Sequence, residues 1–412
     1  MNRENTPQHA PLSYVKRNAE GEPVWGDYRI QALSQIAGQT PFYAYSRNII
    51  AQKIVELRSC LPSNLRLHYA IKSNPMPSLV NWVASQVDGL DVTSCKELQL
   101  ALASGMSPQK ISMAGPAKSD ADLTSAIASG ITINVESPHE ITRIDAIAQN
   151  LGVNSVSVAY RLNPDFLLKS SGMKMGGGAQ QFGTDVEQIE QLNAQLTERI
   201  QLDGLHIFTG SQNLKAENLA EAHQKIFELV DRLLQQYSWS LHKINIGGGF
   251  GIPYFPGESP LDLNYVGDNL KSLCATYPRI ANTQPIVELG RYIVGESGIY
   301  VSRVVDKKVS RGETFLMVDG GLHHHLAATG NFGQVLRKNY PCEIVSLLPK
   351  ALKEKVNVVG PLCTPLDLLA KNMVLTSAEI NDFFVVYQSG AYGYSSSPHL
   401  FLSHPNAVEL LV

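Results

Sequence analysis

Cysteine is scarce in this chain: Cys60, Cys95, Cys274, Cys342 and Cys363 are the only five in 412 residues. Odd in number and widely scattered, they supply neither a disulfide framework nor a zinc-type spacing, and they suit reduced thiols in a cytoplasmic protein. Basic charge is not in excess either, with 34 Lys and Arg against 37 Asp and Glu. That balance gives no footprint for nucleic acid. No apolar run approaches the length of a membrane span. Residues Met1 to Pro11 are polar and lack the apolar core of a signal peptide. Low-complexity tracts and short repeats are missing. What remains is a globular composition, 44% hydrophobic and 17% charged, long enough for two domains.

From Leu65 onward, strand-like and helix-like segments alternate. The strand candidates are Leu65–Lys72, Gly89–Thr93, Lys110–Ala114, Ile131–Glu136, Ser155–Asn163, Leu202–Thr209, Lys243–Gly247 and Pro285–Leu289. Helical patterns lie between them, among them Cys95–Ser104, Asp120–Ala128, Val186–Ile200 and Leu219–Gln236. Eight β/α units in roughly 225 residues predict a (β/α)8 TIM barrel. A doubly wound open sheet is the rival, but it wants a glycine-rich turn after its first strand. Here the first strand ends in Lys72. After Arg291 the pattern changes to short β-branched runs, Ile299–Val309, Thr314–Val318, Val356–Val359 and Phe383–Tyr387, separated by turn residues. These predict a second, mainly antiparallel β domain over residues 291–412. Residues 1–45, ending in the strand-like Pro41–Tyr45, are expected to join it, leaving the barrel to residues 46–290.

Active sites of such barrels lie at the C-terminal ends of the strands. Read in order, those ends carry Lys72, Asp91, Arg161, His206 with Phe208, the run Gly247-Gly248-Gly249-Phe250-Gly251, and Glu288 with Arg291. In the segment Leu65–Lys72, the residues Leu65, Leu67, Tyr69 and Ile71 alternate with Arg66, His68, Ala70 and Lys72. Lysine at a strand end can be an ordinary exposed side chain, or an amine that attacks a carbonyl. The glycine run alone fits a tight turn, but the loops after strands seven and eight often bind phosphate. A Schiff-base lysine, a phosphate cradle and a carboxylate together describe a pyridoxal 5'-phosphate site. The carboxylate keeps the pyridine nitrogen protonated and the cofactor an effective electron sink. Glu288, inside an apolar strand, is the expected acid.

These residues, with others in order along nearly the whole chain, resemble the fold-type III pyridoxal-phosphate decarboxylases, the ornithine, diaminopimelate and arginine decarboxylase group with its alanine racemase-like fold. The resemblance rests on His68–Pro75, on Gly89–Ser94 with Glu97, and on Arg161-Leu162-Asn163-Pro164. It continues through Gly204–Gln212, Gly247–Gly251, Glu288-Leu289-Gly290-Arg291, Cys363-Thr364-Pro365-Leu366-Asp367 and Gly390-Ala391-Tyr392-Gly393. It implies decarboxylation of an α-amino carboxylate through an external aldimine and a quinonoid. Lys72 would carry the cofactor, Glu288 would face its ring nitrogen, and Asp91, Arg161, His206 and Phe208 would surround it. Ser211, Gly248, Gly249, Gly251, Gly290, Arg291 and Tyr392 would hold the phosphate or the substrate carboxylate. Cys363 would protonate the carbon left by carbon dioxide, donated across a homodimer with shared sites. Arg291, Thr364 and Asp367 would contact substrate.

Three departures shape the expectation. Phe208 stands where the family usually stacks a histidine, Leu289 replaces a proline, and Thr364 replaces the acid that commonly grips a distal cation. The Cys-Thr-Pro-Leu-Asp pattern is similar to an exosortase-associated or carrier-protein-linked subgroup. The expected substrate is therefore not a free basic diamino acid but a neutral, acidic or acyl-carrier-tethered one, with a glutamyl group first. The alternatives are a diaminopimelate-, ornithine- or lysine-type decarboxylase, a racemase, which Glu288 opposes, or a non-catalytic homologue. His323-His324-His325 is expected as loop packing or site wall and not as a metal site. Gly172–Gly183 is expected to be a mobile loop that can cover the site.

Overall fold

The computed structural model describes residues 7–167, 173–332, 334, 337–346 and 352–412. The chain forms two compact units. One comprises residues 53–252 and 260–290; the other comprises residues 1–52, 253–259 and 291–412.

The first unit is a closed parallel barrel. Its strands are β1 Arg66–Ala70, β2 Gly89–Val92, β3 Ile111–Met113, β4 Thr132–Val135, β5 Val156–Asn163, β6 Ile200–His206, β7 Lys243–Gly248 and β8 Gln284–Leu289. Each pairs in parallel with the next, and β8 pairs with β1 through Glu288↔His68 and Leu289↔Tyr69, which closes the ring. All eight expected strands are present. Lys72, however, lies beyond β1 on the 3-10 turn Ile71–Ser73, where the strand has already ended. Serines start the helices that follow β2, β3 and β4. Ser94 caps Cys95–Ala103, Ser119 caps Asp120–Ser129 with Asp122 in a capping box, and Ser137 caps Pro138–Leu151. The helix expected over Val186–Ile200 shrinks to Ile189–Asn193 after a 3-10 turn. Its far end is claimed by the sheet, because Ile200 already pairs with Val156.

The second unit is the mainly antiparallel domain. A long strand, β9 Gly298–Ser310, pairs antiparallel with β10 Glu313–Val318 and with Phe383–Val386. The N-terminal strand Phe42–Tyr45 also pairs antiparallel with it, Gly298↔Tyr45 through Val301↔Phe42. The early segment thus joins this sheet, as its β-like sequence predicts. Its core gathers Trp25, Leu33, Phe42, Ala44, Ile299, Val301, Phe383 and Val385. The short excursion Pro253–Ser259 belongs here because Gln388 Nε2 donates to the Pro253 carbonyl at 2.6 Å and the Tyr254 ring packs 4.7 Å from that of Tyr340. Among the described residues, no helix is long and apolar enough to cross a membrane.

Candidate active site

The barrel carries aliphatic and aromatic side chains on the outside of its strands and an unusually polar set within. In β1, Leu67 and Tyr69 are buried, while His68 between them reaches Asp91 of β2, Nδ1 to Oδ1 at 3.3 Å. Ser112 of β3 donates to the same oxygen at 2.6 Å, and Asn134 of β4 donates to Ser112 at 3.1 Å. The other Asp91 oxygen is buried without a hydrogen-bond partner among the described residues.

At the C-terminal ends of β1, β6 and β8 three groups converge. Lys72 Nζ lies 3.5 Å from Glu288 Oε1, and His206 Nε2 lies 3.3 Å from Glu288 Oε2. Glu288 and His206 are buried, whereas the Lys72 side chain is 38% exposed and so within reach of an incoming molecule. Burial alone pushes the Glu288 carboxyl up. The charges of Lys72, His206 and Arg161 outweigh it and hold the group well below the usual carboxylate range. Glu288 is therefore an anion at neutral pH. His206 Nδ1 has no hydrogen-bond partner among the described residues. The Phe208 ring centroid stands 5.7 Å from Lys72 Nζ, close enough for a cation–π contact.

The loop after β7 is a backbone cradle. Gly249 has φ +81°, a left-handed conformation that side chains resist, and a Cβ at Gly248 would collide with the Glu288 carbonyl oxygen. The stretch Gly210–Asn213, which contains the half-buried Ser211, is stitched to this cradle. Asn213 N–H donates to Gly249 O at 2.8 Å, and Gly251 N–H donates to Asn213 O at 2.9 Å. Gly290 packs against the Ser73 side chain, so a Cβ there would lie 2.9 Å from Ser73 Cβ.

Arg161 is engaged differently. Its Nη1 donates to Glu136 Oε1 at 2.8 Å, and its guanidinium lies 4.8 Å from the Phe182 ring centre. Glu136 also accepts N–H groups from Gly115 at 2.7 Å and Gly183 at 3.0 Å. Lys118, buried beside it, is 2.8 Å from Glu140 Oε1. Sequence reasoning missed Glu136, Lys118 and Glu140. Glu136 does stand at the end of a strand, the one signal that could have found it. Gly172 lies outside the described residues. The rest of the expected mobile loop is tied down in this structure: Asn163 accepts from Gly177 N–H at 2.8 Å and donates to Gly178 O at 2.7 Å.

In the second unit, Arg291 donates from Nη1 to the Tyr254 hydroxyl at 2.8 Å and lies 4.8 Å from the Tyr392 ring centre. Burial opposes its charge, but the tyrosines around it, Tyr254, Tyr340 and Tyr392, hold it protonated. Cys363 is an exposed thiol, and Thr364 beside it is half-buried. Asp367 is 2% exposed, and both of its oxygens are taken up, by Leu322 N–H at 2.6 Å and Leu362 N–H at 2.8 Å. His323, His324 and His325 are fully buried, with His325 Nε2 2.9 Å from Ser389 Oγ and His324 Nε2 2.8 Å from the Pro405 carbonyl. They act as packing. Among the described residues, no group of three or more potential ligands could hold a metal ion.

Residues 47–295 match the family described as pyridoxal-dependent decarboxylase, pyridoxal binding domain. The chain belongs to this family. The L-glutamyl-[BtrI acyl-carrier protein] decarboxylase of Niallia circulans is 35% identical over 384 residues, 90% of this chain and 89% of that protein. Diaminopimelate decarboxylase of Aquifex aeolicus (strain VF5) is 31% identical over 401 residues, 95% and 91% of the two chains. The crystal structure of Helicobacter pylori diaminopimelate decarboxylase complexed with L-lysine superposes with a TM-score of 0.82 at 27% identity, covering 93% of each chain. The protein is a pyridoxal-phosphate-dependent decarboxylase.

The barrel residues fit that cofactor. Lys72 is an accessible amine, Glu288 is an anion able to meet a protonated ring nitrogen, and the Gly248–Gly249 backbone leaves no room for side chains where a phosphate is expected. The decarboxylase also has Phe208 to offer a ring face.

Proposed function

We propose that this decarboxylase removes the α-carboxylate of an L-glutamyl group tethered to an acyl carrier protein, and not that of a free basic diamino acid. The observation that carries this is the Cys363–Asp367 loop. Thr364 supplies only a hydroxyl, and the Asp367 carboxylate is already committed to the backbone N–H groups of Leu322 and Leu362. A distal ammonium leaving water without an acid to meet it is costly. A distal end joined to a carrier is uncharged, and a threonine hydroxyl can hydrogen-bond it. The similarity to a decarboxylase named for a glutamyl carrier protein supports the same reading.

The bound cofactor supplies the electron sink for the carbanion left when carbon dioxide departs. Lys72 is the amine that holds it covalently. Glu288, which His206 steadies, would meet the ring nitrogen and keep it protonated, and Phe208 would offer its ring as a stacking surface. Arg291 and Tyr392, with Ser211 and the glycine cradle, bind the phosphate or the substrate carboxylate. Cys363 delivers a proton to the α-carbon from a second subunit, so that the working enzyme is a homodimer with shared sites. Its place is the cytoplasm, in keeping with five free cysteines.

Carbon dioxide release is the test. L-Glutamyl-loaded carrier protein should turn over, while free ornithine, lysine and diaminopimelate should fall below a kcat/KM of about 10⁴ M⁻¹s⁻¹, the lower end of the usual range. The identity to a diaminopimelate decarboxylase favours a second reading, a free amino acid substrate. Efficient turnover of diaminopimelate would establish it in place of ours. Mixing inactive Lys72→Ala and Cys363→Ala proteins should restore part of the activity, because some hybrid sites contain both residues. No rescue despite proven subunit exchange would remove the shared-site assignment.

A further inference from the structure

The opposite end of the barrel holds a second cavity. It offers about 160 Å³ of room and is lined by residues from seven of the eight strands, which places it inside the ring at the N-terminal ends. Barrel interiors are ordinarily packed there with branched aliphatic side chains. Here the wall includes His68, Ser112, Asn134 and Asn245, and the rim includes Lys110 together with Arg66 and Lys243, which are paired with Asp88 at 3.8 Å and Asp203 at 3.0 Å. About 10–15 Å³ of such room takes one water molecule, so the space admits a small organic ion.

Two buried groups point to what that ion is. Asn245 is 6% exposed, and its Oδ1 accepts Gly247 N–H at 2.8 Å. That bond fixes the orientation of the carboxamide and leaves its NH2 at the cavity wall without a partner among the described residues. His68 is 7% exposed, and with Nδ1 turned to Asp91, its Nε2 also has no partner among the described residues. The lone acid on the wall, Asp88, is already bonded to Arg58 at 2.6 Å and to Leu67 N–H at 2.8 Å. Lys110 has no ion-pair partner among the described residues, and its exposed position keeps the mouth of the cavity in contact with solvent. A buried carboxamide donor within and the Lys110 charge at the rim are the features of an oxyanion site.

We infer that the N-terminal mouth of the barrel is a second ligand site, which takes a small oxyanion, a carboxylate or a phosphate, between Asn245, His68 and the Lys110 side of the rim. It is separate from the decarboxylation site and does not depend on which substrate that site takes.

Calorimetric titration of the cofactor-loaded enzyme tests it, with inorganic phosphate and malonate as separate probes and the active site first saturated with a decarboxylation product. Saturable binding is expected, with Lys110→Glu weakening it about tenfold, the loss of one charge-assisted contact. Malonate binding alone would assign a carboxylate site, and phosphate binding alone a phosphate site. A crystal soaked with the bound probe should show it against Asn245. No saturable binding of either probe, an unchanged affinity in both Lys110→Glu and Lys243→Gln, or density at the C-terminal end only would overturn the assignment.

Discussion

Glu288 shows how a single carboxylate is set for its task. It is buried, which by itself favours the neutral acid, yet the charge of Lys72, the His206 ring against it and the more distant Arg161 keep it ionised. One of them, Lys72, is the amine proposed to hold the cofactor, and a protonated pyridine ring would replace the charge it would lose. Glu288→Gln removes the anion but leaves a side chain of the same size. Cofactor absorbance should therefore persist while kcat falls by at least ~10²-fold, the scale of losing one electrostatic partner of a transition state. A near-normal kcat, or loss of bound cofactor without a change in kcat per loaded site, would count against this role. Lys72 and Glu288 were legible in the sequence because strand alternation and strand order placed both at one end of a barrel. The approach of His206 Nε2 to Glu288 was not, since a motif names a residue and not its neighbours in space. Nor was the commitment of Asp367 to two backbone N–H groups, which depends on the turn at Gly321.

At the scale of elements, β4 and β5 meet at a buried ion cluster that also pins the chain following β5. Glu136 takes the Arg161 guanidinium together with the N–H groups of Gly115 and Gly183. Burial pushes its carboxyl up, but Arg161, Lys118 and the two N–H groups outweigh this and lower it. Removing one member strands the others. Glu136→Ala should cost about 3–5 kcal/mol, the usual result of leaving a buried charge unpaired. Denaturant unfolding of the two proteins measures this. Because Arg161 also stacks on Phe182, proteolysis within residues 176–183 should quicken in the variant. A loss below about 1 kcal/mol, typical of an exposed pair, would show that the cluster is not stabilising. The eight strands and most helices were legible through periodicity and serine caps. This cluster was not, because its members lie on separate strands and helices and are joined only when the barrel closes.

For the whole molecule, the change from alternating β/α segments to short strands after Arg291 revealed two units. The excursion Pro253–Ser259 stayed hidden, since its allegiance rests on contacts of Tyr254 and Pro253 that no local pattern announces. Both units bury histidines, and this sets the response to acid. Burial lowers His223 in the barrel to about 4. In the second unit burial lowers His325 to about 3; His323 falls to about 3 and His324 to about 4, by burial and then by nearby histidines, among them His399 and His404. An unfolded histidine titrates near pH ~6.5, so as pH falls below that value the unfolded chain takes up protons that the folded chain refuses. Stability from these groups is therefore complete above ~6.5 and is lost as pH falls to about 4 for His223 and His324 and to about 3 for His323 and His325, with a limiting slope of about 1.4 kcal/mol per histidine per pH unit. Asp319, Asp367 and Glu409, raised by burial, pull the other way, but only as pH approaches the carboxylate range. The loss should thus begin between pH 6.5 and 5.5, before the carboxylates respond. Calorimetry of the cofactor-loaded enzyme should show Tm lower at pH 5.5 than at pH 7.5 by at least ~5 °C, given a few degrees per kcal/mol for domains of this size. His325→Gln should lower Tm at pH 7.5 but flatten its dependence on pH. A Tm that does not change over this interval, or a slope that His325→Gln leaves as steep as before, would show that the buried histidines do not control acid stability.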